Sequence, residues 1–203
     1  MKEILELIKS RRSVRKFSNA PVAEADIDRM LEAALWAPSA SNRQSWKFVA
    51  VKNPSVIKEM AAAVRAAAEK LKSQIEDEDN ASAFGGYSGY FTFFESAPVV
   101  IAACFNPRPN FVNVLSGKNL RPDDNLEQTT AVGAAIQNML LAAHAMGYGA
   151  CWMSGPLIAE PELIKILKLE GLRLAALIPV GVALETPAAP KRKPAENLIG
   201  KVE

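Results

Sequence analysis

Ser10-Arg11-Arg12-Ser13-Val14-Arg15-Lys16-Phe17 places four cations within six residues, with a hydroxyl among them and two apolar side chains breaking the run. Guanidinium forks match phosphate oxygens two at a time, and each hydrogen bond to a charged group contributes roughly 1.5–3 kcal/mol. A solvated basic corner at the end of a first helix would carry the same charges, because cations relax the negative end of the helix dipole. Val14 and Phe17 separate the two readings. They predict a segment anchored on a core, with its cations held toward one place.

Working outward, Ile4, Leu5 and Ile8 share one helical face, which predicts a first helix over residues 2–10 that delivers the arginines. Ile27, Met30, Leu31, Ala34 and Leu35 repeat at helical spacing over 23–36, and Pro38 ends that helix. The stretch P-S-A-S-N-R-Q-S-W over 38–46 is rich in hydroxyl and amide groups, suited to a polar ligand edge or to plain turn chemistry, and runs into the strand K-F-V-A-V. Asn53-Pro54 caps a third helix carrying Val56, Met60, Val64, Ala67 and Leu71. Residues 72–94 turn acidic and then glycine-rich, which reads as an excursion ending in the aromatic cluster Tyr90, Phe91, Phe93 and Phe94, either over a binding site or as a small satellite core. A buried strand over 98–104 precedes a second loop over 105–124.

Asp124 or Asn125 then caps the longest helix, which ends at Gly147 and is apolar nearly all round. One of its faces is expected on the sheet and the other on a partner subunit. His144 reads as an ordinary packed histidine on that helix. A short A-C-W-M strand leads to Ser154-Gly155-Pro156, where glycine permits close backbone approach to a flat ligand. A helix from Pro161 to Leu167 and a strand over 174–184 follow. The proline-rich tail, 186–203, adds the cations Lys191, Arg192 and Lys193.

The 203 residues, 49% hydrophobic and 23% charged, describe one folded domain of residues 1–203. A net charge of +2 gives no general attraction to nucleic acid or to acidic membranes. Cys104 and Cys151 read as core thiols of a reducing compartment, and a single histidine leaves no metal-ligand spacing. No apolar run approaches the roughly 18–20 residues of a membrane span, and Met1 opens directly onto an amphipathic helix without a signal-type apolar region. A cytoplasmic protein is expected.

Two cationic clusters, an amide-bearing loop and a glycine turn after a strand are all satisfied by one phosphorylated flat heterocycle such as FMN. The strings R-R-S-V-R-K-F, W-A-P-S-A-S-N-R-Q-S-W-K-F, A-P-V-V-I, N-M-L-L-A-A-H-A-M-G-Y-G-A-C-W and the late basic tail occur in the order found in the nitroreductase family, which the chain resembles over nearly its whole length. That resemblance implies an α+β, nitroreductase-like fold with a mixed central sheet flanked by helices, in an intertwined homodimer with FMN at the interface. By position it implies that Arg11, Arg12, Ser13 and Arg15 meet the phosphate and ribityl groups, joined by Arg192 and Lys191. It further implies that Pro38, Ser39, Ala40 and Asn42 reach the flavin, often across the dimer, and that Ser154 and Gly155 face the ring. Two positions depart from the family: Ser45 stands where many members have proline, and Ser154 where some have an acidic residue.

The implied activity is a ping-pong hydride relay in which NADH or NADPH reduces FMN, which then reduces a nitroaromatic, a quinone or a similar small acceptor. It needs no catalytic side chain and no metal. Alternatives are an enzyme of another reaction type on the same fold (flavin fragmentation, reductive dehalogenation or heterocycle oxidation) and a flavin carrier without turnover. A polyanion-binding module fits poorly with the near-neutral charge.

Overall fold

β2 (Val99–Phe105) is the centre of the molecule, with all seven residues of V-V-I-A-A-C-F buried. A strand with no polar side chain needs cover on both faces, and its alternation divides that cover into two layers. Val99, Ile101, Ala103 and Phe105 enter one core; Val100, Ala102 and Cys104 enter the other. The computed structural model that shows this describes residues 2–109, 111–117 and 125–202.

Four strands form the sheet in the order β1-β2-β4-β3, with β1 (Trp46–Val51), β3 (Gly149–Ala150) and β4 (Arg173–Gly181). Ala50 faces Ile101 and Leu177 faces Ala102, and the β2–β4 register slips between Ala103 and Cys104. The architecture is α+β, as expected. The four strands pair antiparallel throughout, and the parallel component of the expected mixed sheet is a single bridge between Ser13 and Ala150.

On one face lie α2 (Glu24–Leu35) and α6 (Leu126–Ala145), whose buried Ile27, Met30, Val132, Ile136 and Met139 meet the Ile101 side of the sheet. The second face of α6 was expected on a partner subunit. Within the chain α2 takes part of it, where Asn138 Nδ2 donates to the Ala33 carbonyl at 3.2 Å. Leu35, expected in the core, is half exposed just before the chain turns at Trp36. Asn125 precedes α6 without a side-chain cap, and Asp124, the alternative cap, lies with 118–124 outside the described residues. The helix ends at Gly147, whose φ of +85° requires glycine.

On the other face α3 (Pro54–Lys72) buries Ile57, Met60, Ala61, Val64 and Ala68; the Asn53 side chain caps it by accepting from the Ser55 N–H at 2.9 Å. After a short turn over 73–77, residues 78–94 are helical rather than the excursion expected. Asp77 accepts from the Asn80 N–H at 2.7 Å and starts α4 (Glu78–Ser88), which passes into a 3-10 helix, Gly89–Ser96. Glycines discourage a helix by about 1 kcal/mol each, and here Phe84, Phe91 and Phe94 offset that by packing on the α3 core. The second expected loop contains α5 (Phe111–Ser116). α7 (Glu160–Ile166) carries Pro161 in its first turn, where a missing N–H costs nothing.

Candidate functional site

α1 (Lys2–Ser10) hands the chain to the arginine segment, which is stitched into the sheet's end by its backbone. The Val14 N–H donates to the Ala150 carbonyl at 3.1 Å, Ser18 N–H to Val182 at 2.9 Å, and Leu184 N–H to Lys16 at 2.9 Å. Val14 and Phe17 are buried while Arg15 and Lys16 between them are exposed, so the two cations face away from the core. A Cβ on Gly149 would come 2.7–2.9 Å from the Val14 branch atoms, so glycine there is what lets the segment lie so close to β3. The Arg15 N–H donates to Glu185 Oε1 at 2.6 Å, and its Nη1 donates to the Ser13 carbonyl at 3.1 Å. Arg12 Nη1 donates to the carbonyls of Lys9 (2.6 Å) and Arg11 (2.9 Å). Among the described residues, no carboxylate forms a salt bridge with either guanidinium.

Arg11, Arg12, Ser13 and Arg15 line one cavity of about 310 Å³ with Arg192 and with Pro187, Ala188 and Pro190 of the tail. Two prolines and an alanine, Pro187, Pro190 and Ala188, were not expected in the site; the tail's P-A-A-P run marks it as extended but does not say where it lies. Lys191 is exposed and not part of this lining. A second cavity, about 430 Å³, is lined by Ser154, Gly155, Cys151, Trp152, Met153, four aromatic residues of 87–93, and again Arg15. Arg15 is the residue where the cationic and aromatic spaces meet.

Gly155 also has a packing reason to be glycine. A Cβ there would lie 2.8 Å from Cε1 and 2.9 Å from Cγ of Phe91, so the glycine is required by the aromatic segment packed on it. The aromatic cluster visible in the sequence is thus set directly over the 154–155 turn.

The 38–42 loop goes elsewhere. Pro38, Ser39 and Ala40 line a separate cavity of about 270 Å³ against Glu127, Thr130, Ala131 and Ala134 of α6. Ser39 Oγ accepts from the Gln44 N–H at 3.0 Å, and Asn42 Oδ1 accepts from Gln44 Nε2 at 3.1 Å. Ser41, Asn42 and Gln44 hold φ values of +52°, +53° and +45°, a run of left-handed residues that costs energy and persists only where surroundings fix it.

Two titrating groups border the arginines. His144 Nε2 lies 2.9 Å from Ser10 Oγ, and burial together with Arg11 and Arg12 holds its pKa below 6.5. Burial raises the Cys151 thiol, with Arg15 and a hydrogen bond from Ser13 opposing, and pushes Cys104 up to about 12. Both thiols are free and buried, which makes them inert packing groups.

On this α+β fold a cationic pocket and an aromatic cavity meet at one arginine, an arrangement with room for a ligand that has a charged end and a flat end. The nitroreductase family profile matches residues 8–182, and the chain belongs to that family. It is 28% identical over 190 residues to a Bacillus subtilis protein provisionally named NAD(P)H nitroreductase YfhC, covering 93% of this chain and 89% of that one. Among solved structures, a BluB-like flavoprotein from Clostridium difficile 630 superposes with a TM-score of 0.88 at 28% identity, covering 98% of this chain and 99% of that one. A nitroreductase with bound FMN from Desulfitobacterium hafniense DCB-2 gives 0.76 at 26% identity, covering 100% of both chains.

Proposed function

We propose that the protein is an FMN-dependent oxidoreductase that takes electrons from NADH or NADPH and passes them, in a ping-pong order, to a nitroaromatic, quinone or similar small acceptor. The observation that carries this reading is the junction at Arg15 of a pocket rich in arginine with a cavity rich in aromatic rings. Those residues fit FMN: three arginines and Ser13 suit its phosphate, and the turn at Ser154 and Gly155, which lines the aromatic cavity together with Arg15, suits a planar ring. Arg192 closes the phosphate side from the tail, with Lys191 beside it in sequence.

Bound FMN supplies the two-electron chemistry, and the protein supplies position, charge and exclusion of water. Arg11, Arg12 and Arg15 hold the dianionic end, and Arg15, reaching the second cavity, sets a positive charge beside the ring. No side chain need accept a proton for the reaction to proceed.

The working form is a homodimer. Pro38, Ser39 and Ala40 line a different cavity of the chain, Asn42 follows in the same loop, and their contribution is to the partner's flavin. Exposed apolar groups support this reading: Ile4, Leu5 and Ile8 along α1, and Trp36, which is 82% exposed beside the loop. Two free thiols in the core agree with a cytoplasmic location. Among the described residues no helix is long and apolar enough to cross a membrane.

The test is NADH or NADPH oxidation with menadione or a nitrofuran as acceptor. Acceptor-dependent turnover supports the enzyme, and FMN binding without turnover makes the protein a carrier. A homodimer by sedimentation that loses FMN affinity on Asn42→Ala supports the shared site; a monomer that keeps full affinity overturns it.

A further inference from the structure

Five of the ten residues around the 430 Å³ cavity are aromatic: Tyr87, Tyr90, Phe91, Phe93 and Trp152. Phe91 is the fixed member, buried against Gly155 and met edge-on by Phe84 at 6.3 Å and by Tyr87 at 5.2 Å, with an interplanar angle of 86° for the latter. Tyr87 and Tyr90 stand three residues apart where α4 passes into the 3-10 helix, so they lie on one side of the turn. They are 65% and 64% exposed, and among the described residues neither hydroxyl has a hydrogen-bond partner. Two large rings with free polar tips, left open on the wall of a concave space, offer contact area at low entropic cost because each has only two side-chain torsions.

We propose that Tyr87 and Tyr90 are the acceptor-positioning wall of the site and select a flat aromatic ring that carries oxygen acceptors on its edge, neutral or anionic in charge. The proposal rests on the FMN reading above. The ring faces supply stacking, the hydroxyls donate to quinone or nitro oxygens, and Arg15 is the one charged residue among those lining the cavity. Among the described residues no carboxylate lines the space to favour a cationic acceptor. The locked Phe91 gives the two tyrosines a rigid base, so the wall is in place before the acceptor arrives.

The experiment uses oxidised, FMN-loaded protein, so that no turnover occurs. Menadione is titrated in and followed by tryptophan fluorescence, with 1,4-cyclohexanedione as a comparator that has the carbonyls without the aromatic ring. Stacking of about 1–3 kcal/mol per ring predicts that Tyr87→Ala/Tyr90→Ala raises the menadione Kd by at least roughly fivefold while FMN affinity holds within about twofold. Tyr87→Phe/Tyr90→Phe keeps the stacking and gives a smaller loss, and wild type binds the saturated diketone at least about fivefold more weakly than menadione. A protein that takes up no FMN overturns both this proposal and the reading beneath it. Retained FMN with an unchanged menadione Kd, or equal binding of the saturated diketone, overturns this proposal alone. So does a double-alanine variant whose dimer dissociates while menadione binding is unchanged, which would assign the tyrosines to a subunit contact.

Discussion

Gly149→Ala tests how the arginine segment is held. The new Cβ would lie 2.7 Å from Val14 Cγ1, 2.8 Å from its Cβ and 2.9 Å from its Cγ2. These are branch atoms of a buried, stiff side chain and not the end of a flexible one, so the strand or the segment must move. Retreat of β3 is resisted because Gly149 pairs with Gly181, where a Cβ would itself come 2.7 Å from Pro98. Overpacking of this kind costs about 1–3 kcal/mol. Val14→Ala alone loses two methyl groups, about 1.6 kcal/mol at about 0.8 each, and leaves a small cavity besides. The double variant lets the added methyl occupy the vacated volume. It should cost at least about 1 kcal/mol less than the sum of the singles, against the roughly 0.3–0.5 kcal/mol scatter of independent sites. Urea unfolding followed by far-UV circular dichroism measures all four corners of the cycle. A sum that adds within that scatter refutes the close packing of Val14 on Gly149, and with it the anchoring of the cations.

Gly155→Ala, whose Cβ meets the Phe91 ring, should lower Tm by several degrees, at about 2–4 °C per kcal/mol. Gly86→Ala, in α4 with nothing within 4 Å, should instead stabilise by about 0.5–1 kcal/mol, so the same change at two glycines has opposite signs in one melting experiment. Glu160 accepts from Arg173 Nε at 2.7 Å, from its Nη2 at 3.1 Å and from the Leu174 N–H at 2.9 Å; burial works to raise its pKa, but these donors hold it below 4.5. Its contribution is fully present above 4.5 and is lost as pH falls through the lower folded value, so Glu160→Gln should cost about 1–2 kcal/mol near neutrality and progressively less as pH drops below 4.5, read from urea midpoints. His144 titrates below 6.5 in the folded chain, so the unfolded chain binds its proton first and stability falls as pH drops through 6.5; His144→Gln should flatten that slope in the same assay.

The apolar spacing made α2, α3, α6 and the central strand legible, because burial of a face is written directly in periodicity. Val14 and Phe17 read correctly as anchors for the same reason: both are buried. α4 was not legible. Its glycines and acids match loop composition, and what stabilises it is the distant packing of Phe84 and Phe91, which no local pattern records. The tail's path over the arginines was equally hidden, since only tertiary pairing of residues 182–184 with residues 16–18 carries it there. Among the site residues named from sequence, the arginines, Ser154 and Gly155 border cavities that meet at Arg15, whereas the 38–40 loop borders another. Gly155 shows a further limit, because a glycine in a turn serves a ligand, a neighbouring ring or both, and its contact with Phe91 is not written in the local pattern.

The central claim is that separate cationic and aromatic segments converge on one phosphorylated flat cofactor. Equilibrium dialysis of the purified protein against FMN, read by visible absorbance, tests it most directly. The account predicts a bound flavin spectrum with about one FMN per chain, released on denaturation, and an affinity that falls by at least roughly tenfold on Arg11→Ala, from one lost charged hydrogen bond. A colourless protein that takes up no FMN, or full affinity after loss of Arg11, would contradict it.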